Sequence, residues 1–108
     1  MAIPVVDVHC HLLAGMDDGP RSWDDALAMC RIALEEGTQF VAATAHQSER
    51  WPLVTPERIR EETQTLARLL REQDLHLTVV PSVEVMADID MVIAWQKKHL
   101  LSVADRGI

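Results

Sequence analysis

Three short apolar stretches, residues 3–8 (IPVVDV), 38–44 (TQFVAAT) and 75–85 (LHLTVVPSVEV), are separated by two segments whose apolar residues recur at helical spacing. Few architectures accept that alternation. In segment 22–37, Trp23, Ala26, Leu27, Cys30, Ala33 and Leu34 fall on one helix face. Ser22 can cap its start, Asp25 occupies the capping-box position, and Gly37 suits the exit. Segment 55–74 opens on Thr55 as cap with Pro56 at the first helical position. Ile59, Leu66, Leu69 and Leu70 mark its inner face, and Arg58, Glu61, Glu62, Arg68 and Arg71 its outer face. A third helix is expected over 88–98, and 100–108 either begins a fourth strand or is a connection. Strands separated by helices pair in parallel through right-handed crossovers. The expected fold class is therefore α/β, with sequential parallel strands and helices on one face. That is the start of a barrel, and half of a doubly wound sheet is the alternative.

A parallel sheet sends every strand-to-helix loop to one edge, where α/β proteins build their sites. The polar residues of this chain gather there. The stretch VVDVHCHLLAGMDDGP, residues 5–20, alternates so that Asp7, His9 and His11 share one strand face and Val6, Val8 and Cys10 the other. Asp17 and Asp18 follow. His46 comes just after the second apolar run, and Glu84 holds the same relative place in the third. Singly, each has an ordinary reading: a turn-forming Asp in MDDGP, a core histidine, a solvated glutamate. Together at one edge they read as a metal site. Imidazole mixed with carboxylate suits Mn, Fe or Zn. Such a cluster activates water and clamps a phosphoryl group or a polarised carbonyl, so metal-assisted hydrolysis is the reaction class, with phosphate esters favoured because the ions supply the charge an acidic chain lacks. His76 and His99 read as structural, and Trp23 and Trp95 as core. Trp51, in the loop SERWPLVTP at the same edge, either shapes substrate access or covers the core.

A formal net charge of −7 over 108 residues argues against a nucleic-acid surface or a basic membrane face, which need clustered Lys and Arg. It leaves an anionic substrate open, because bound cations supply the local positive charge. No stretch approaches a membrane span or a signal peptide, and a cytoplasmic location is expected. Cys10 and Cys30, each on an apolar pattern, read as buried free thiols.

The run DVHCHLLAGMDDGP, then ATAHQ, then VEV, resembles the polymerase-and-histidinol-phosphatase (PHP) superfamily. Within it, the chain is similar to the bacterial manganese-dependent protein-tyrosine phosphatases of capsule and exopolysaccharide operons. The resemblance implies the N-terminal half of a (β/α)7 barrel, with residues 1–108 a partial PHP domain of three βα units and the start of a fourth. It implies that His9 and His11 bind a first metal, Glu84 bridges two, and Asp18 with His46 hold a third, up to three Mn2+ ions in all (Fe or Zn in their place). Asp7 would support a histidine from behind. The implied reaction is attack of a metal-bridging hydroxide on phosphotyrosine, without a phosphocysteine intermediate. The implied partner is a phosphotyrosine protein such as a bacterial tyrosine kinase, and a homo-oligomer is open. Where the family commonly reads T-P-H-H, this chain has TAHQ, so Gln47 replaces a histidine. The family's remaining ligands and phosphate-binding arginine would fall beyond Ile108. A histidinol-phosphatase-like small-molecule phosphoesterase and a non-catalytic metal-binding fragment are the alternatives.

Overall fold

The computed structural model describes residues 5–47, 50–84, 96, 97 and 105. Strand β1 (Val5–Cys10) leads through a long loop to helix α1 (Trp23–Glu35). Strand β2 (Thr38–His46), helix α2 (Pro56–Glu72) and strand β3 (Thr78–Glu84) follow. The strands pair in parallel in the order β1-β2-β3, so each crossover carries one helix. The helix expected over 88–98 lies outside the described residues apart from Gln96 and Lys97. The segment 100–108 does too, Asp105 aside, and so do Trp95 and His99.

Local chemistry sets the helix limits. Ser22 is extended, and its hydroxyl accepts the N–H of Asp25 at 3.1 Å. Thr55 does the same for Arg58 at 3.2 Å, with Pro56 following. Each hydroxyl satisfies a donor that the first helical turn would otherwise leave unpaired. Helix α1 closes at Glu36, and Gly37 then takes φ +92°, a conformation open to a residue without Cβ, to turn the chain into β2. Arg60 on α2 grips Asp105 through two bonds, at 2.8 and 3.1 Å.

One hydrophobic layer lies between the sheet and the helices. Alternate residues of β2 (Val41, Ala43, Ala45) face Leu27 and Cys30 of α1 and Ile59, Leu66 and Leu70 of α2 within a single cluster. The small alanines on β2 let both helices approach the sheet closely. This one-sided, sequential arrangement is the one expected at the start of a barrel. Leu12 and Leu13, directly after His11, are each 1% exposed. Burying each of them contributes about 2 kcal/mol, which pins the loop leaving β1 to the core. On the outer strand β1, by contrast, Val5, Val6 and Val8 are exposed.

Three boundaries differ from the sequence reading, the first being β1, which runs past Val8 to Cys10. Strand β2 runs on to His46, because its last residues pair in register with β3 up to His46 opposite Glu84. Strand β3 begins at Thr78, so His76 lies ahead of it on the surface, 3.3 Å from Asp74.

Candidate metal centre

All three strands point the same way, so their C-terminal ends share one edge. His46 and Glu84 are the last residues of β2 and β3 and face each other in register. His9 lies in β1, and His11 one residue past its end. From His9 to His11 the alternation holds: the histidines face the edge, while Cys10 packs against the core. Ahead of them the register with β2 shifts between Asp7 and Cys10, so the single face expected for Asp7, His9 and His11 does not run the length of β1. Burial pushes the Cys10 thiol up, with the Asp7 carboxylate adding to the effect.

The side chains converge. The imidazoles of His9 and His11 stack at 5.1 Å, almost parallel, with their Nε2 atoms 3.1 Å apart. The His46 ring meets His11 edge-on at 4.5 Å. Glu84 lies among all three: Oε1 is 3.7 Å from His9 Nε2, and Oε2 is 3.3 Å from His11 Nε2 and 2.8 Å from His46 Nδ1. Asp18 Oδ1 closes the other side, 3.1 Å from His11 Nδ1 and 3.2 Å from His46 Nε2. A hydrogen bond from His11 holds the Asp18 carboxyl below the usual carboxylate range, with the His46 and His11 imidazoles adding to it.

These distances can be tested against a metal ion. Two donors about 2.1 Å from one ion, at tetrahedral or octahedral angles, lie roughly 3.0–3.4 Å apart. The spacings above, 2.8–3.7 Å, bracket that range. The proton count agrees. With the His11 Nδ1–H donated to Asp18, its Nε2 lone pair faces a carboxylate oxygen and another imidazole nitrogen. Both nitrogens of His46 face carboxylates, and a neutral imidazole has one proton to give. A cation at each donor group would satisfy the imidazole lone pairs that face it. The donors form two groups, one of His9, His11 and Glu84 and one of His11, Asp17, Asp18 and His46, each with its donor atoms within 4.8 Å. The residues present fit divalent ions of the Mn, Fe or Zn kind.

Asp17 carries more of the geometry than a turn-forming residue would. Its side chain is 2% exposed. Oδ1 accepts the N–H of Gly19 at 3.0 Å, and Oδ2 accepts the N–H of His46 at 2.7 Å and lies 3.6 Å from His11 Nδ1. One buried carboxylate thus ties the loop after β1 to the end of β2. The sequence places Asp17 at the sheet edge and in the MDDGP turn, where the Gly19 contact is a local one. Nothing local signals the contact to His46, 29 residues away. Gly19 itself passes so close to His11 that a Cβ there would stand 2.9 Å from the His11 carbonyl oxygen. Asp7 accepts the backbone N–H of His9 at 3.0 Å, so it acts on the peptide rather than on the ring. Gln47 donates its backbone N–H to the Glu84 carbonyl at 2.9 Å, extending the register beyond the strand ends.

A parallel α/β layer with imidazoles and carboxylates clustered at its strand ends defines the class: an α/β protein with a candidate multi-ion metal centre. Residues 5–107 match the family described as "Capsular polysaccharide synthesis, CpsB/CapC", and the chain belongs to it. It is 32% identical over 101 residues to the tyrosine-protein phosphatase YwqE of Bacillus subtilis, covering 94% of this chain and 40% of that protein. To the tyrosine-protein phosphatase CpsB of Streptococcus pneumoniae it is 22% identical over 101 residues, 94% of this chain and 42% of the other. Among solved structures it matches one from a study of YwqE and CpsB described as "unique metal-dependent tyrosine phosphatases". The TM-score is 0.88 at 32% identity, over 94% of this chain and 41% of that one. The chain therefore spans about 40% of the length of these relatives. Among the described residues, no helix is long and apolar enough to cross a membrane.

Proposed function

We propose that this chain supplies the first half of the metal centre of a metal-dependent phosphoester hydrolase acting on phosphotyrosine in proteins, a bacterial tyrosine kinase being the favoured substrate. The observation that carries the reading is the convergence of His9, His11, His46, Glu84, Asp17 and Asp18 at the ends of three parallel strands. Support also comes from relatives named as tyrosine-protein phosphatases.

In this reading His9, His11, Asp18, His46 and Glu84 hold divalent ions, Mn2+ by preference, and Glu84 serves two positions with its two oxygens. When bound, the ions neutralise phosphoryl oxygens and acidify water, so that hydrolysis runs near neutral pH. The chain's own residues do the positioning. Asp18 fixes the His11 tautomer by taking its Nδ1 proton, which turns Nε2 toward the centre. Asp7 holds His9 through its amide, and Asp17 keeps the loop and the end of β2 together. Cys10 faces the core and takes no part as nucleophile. The acidic chain works in the cytoplasm, as a monomer or a homo-oligomer, linked to capsule or exopolysaccharide regulation.

The test is turnover of a phosphotyrosine peptide by the whole protein. EDTA abolishes activity, Mn2+ restores it, His9→Ala removes it, and Cys10→Ser keeps most of it. Activity that survives both EDTA and His9→Ala would overturn the reading. Turnover of histidinol phosphate in preference to the peptide would move the substrate to a small molecule.

A further inference from the structure

The loop between β2 and α2 places a large aromatic surface against the centre without offering it a ligand. The indole of Trp51 lies 6.1 Å from the His46 ring, the planes inclined by only 14°. The Arg50 guanidinium stands 5.5 Å above the indole, within cation–π range. Trp51 is half-buried: it packs against the core cluster and stacks on His46, and part of its surface stays open to solvent. Arg50 is exposed and brings a positive charge to an edge otherwise built from imidazoles and carboxylates. Covering the core would need only an aliphatic side chain. Stacking on a candidate ligand and holding a guanidinium over the ring use the aromatic face.

Resting on the function proposed above, we infer that Trp51, steadied by His46 and Arg50, is a specificity-determining residue. It forms the wall against which the ring of an aryl phosphate packs while the phosphoryl group is at the metal centre. An aliphatic phosphate ester presents no ring and gains nothing from that wall. The preference for aryl over alkyl phosphate monoesters therefore resides in Trp51 and not in the ligands.

The experiment compares phenyl phosphate with butyl phosphate in the Mn2+-loaded whole protein, for wild type, Trp51→Phe and Trp51→Leu. Leucine keeps apolar bulk over the core but has no ring. The ratio of kcat/KM values for the two substrates cancels any loss of folded protein. Trp51→Leu is expected to lower the aryl-to-alkyl ratio about three- to tenfold, the range of one aromatic contact. The loss should appear in KM for phenyl phosphate, with Trp51→Phe near wild type. Binding of phenylphosphonate and methylphosphonate, measured by calorimetry, should show the same selective loss without turnover. An unchanged ratio in Trp51→Leu, or an equal fall for both substrates, overturns the inference while leaving the hydrolase reading intact. If the wild type turns over neither ester, the hydrolase reading fails. The phosphonate pair then decides alone: a phenyl preference lost in Trp51→Leu supports the wall, and no preference refutes it.

Discussion

Replacing Asp17 by Asn keeps the side chain's volume and one oxygen but puts an amide N–H2 where a carboxylate oxygen now accepts. In the folded chain Oδ2 takes the His46 N–H at 2.7 Å and Oδ1 the Gly19 N–H at 3.0 Å, in a site 2% exposed to solvent. A hydrogen bond to a charged group is worth about 1.5–3 kcal/mol, and a buried donor left unpaired costs about 1–3 kcal/mol. Asn can satisfy one N–H and must turn a donor toward the other, so a loss of about 2–3 kcal/mol is expected. Asp17→Ala loses both acceptors and should cost more, about 3–5 kcal/mol. The assay is urea unfolding followed by circular dichroism in EDTA, which separates this structural strap from any metal contribution. With a slope of about 1–3 kcal/mol per molar urea, the midpoint for Asp17→Asn should fall by about 1 M. A stability within about 0.5 kcal/mol of wild type, as for an ordinary surface substitution, would refute the reasoning.

The other predictions concern single contacts. Thr55→Ala removes the cap of α2 and should destabilise the chain by about 1 kcal/mol, read from the same urea curves, with Thr55→Ser close to wild type. In Gly19→Ala the new methyl would stand 2.9 Å from the His11 carbonyl oxygen and 3.0 Å from the His11 Cβ, displacing that histidine. Mn2+ affinity, measured by calorimetry, should drop about tenfold or more, as for other losses of ligand support. Burial pushes the Cys30 thiol up to about 11 from an ordinary 9.0. Above pH 9 the unfolded chain releases this proton while the folded chain retains it, so stability should decline as pH rises from 9 toward 11. Unfolding midpoints across that window should fall less steeply in Cys30→Ala than in wild type. Parallel pH slopes would contradict the assignment.

Much of the fold was legible because its signals are local. Ser22, Thr55 and Pro56 mark helix starts through contacts three residues away, and the buried faces of α1 and α2 follow from spacing alone. The alternation of β1 likewise separates His9 and His11 from Cys10 before any partner strand is known. What escaped depends on contacts made across the chain. Nothing near His46 shows that β2 continues to it, since that residue is held in register by Glu84 and by the Asp17 carboxylate. Asp17 itself looks like a turn residue because one of its two bonds is a turn bond. His76 sits in an apolar alternation that reads as strand, yet it precedes β3 on the surface. The candidate ligands were found because parallel strands fix where their ends go. Their order of contact, with Glu84 reaching three imidazoles, was set by register and side-chain packing.

The most direct measurement is an anomalous difference map from crystals of the protein soaked in Mn2+ and collected near the manganese edge. Strong peaks about 2.1–2.2 Å from His9 and His11 nitrogens, a Glu84 oxygen, and His46 with Asp18 are expected, at the ligand distances of such ions. Peaks confined to surface carboxylates, with these five side chains bonded only to one another, would contradict the account.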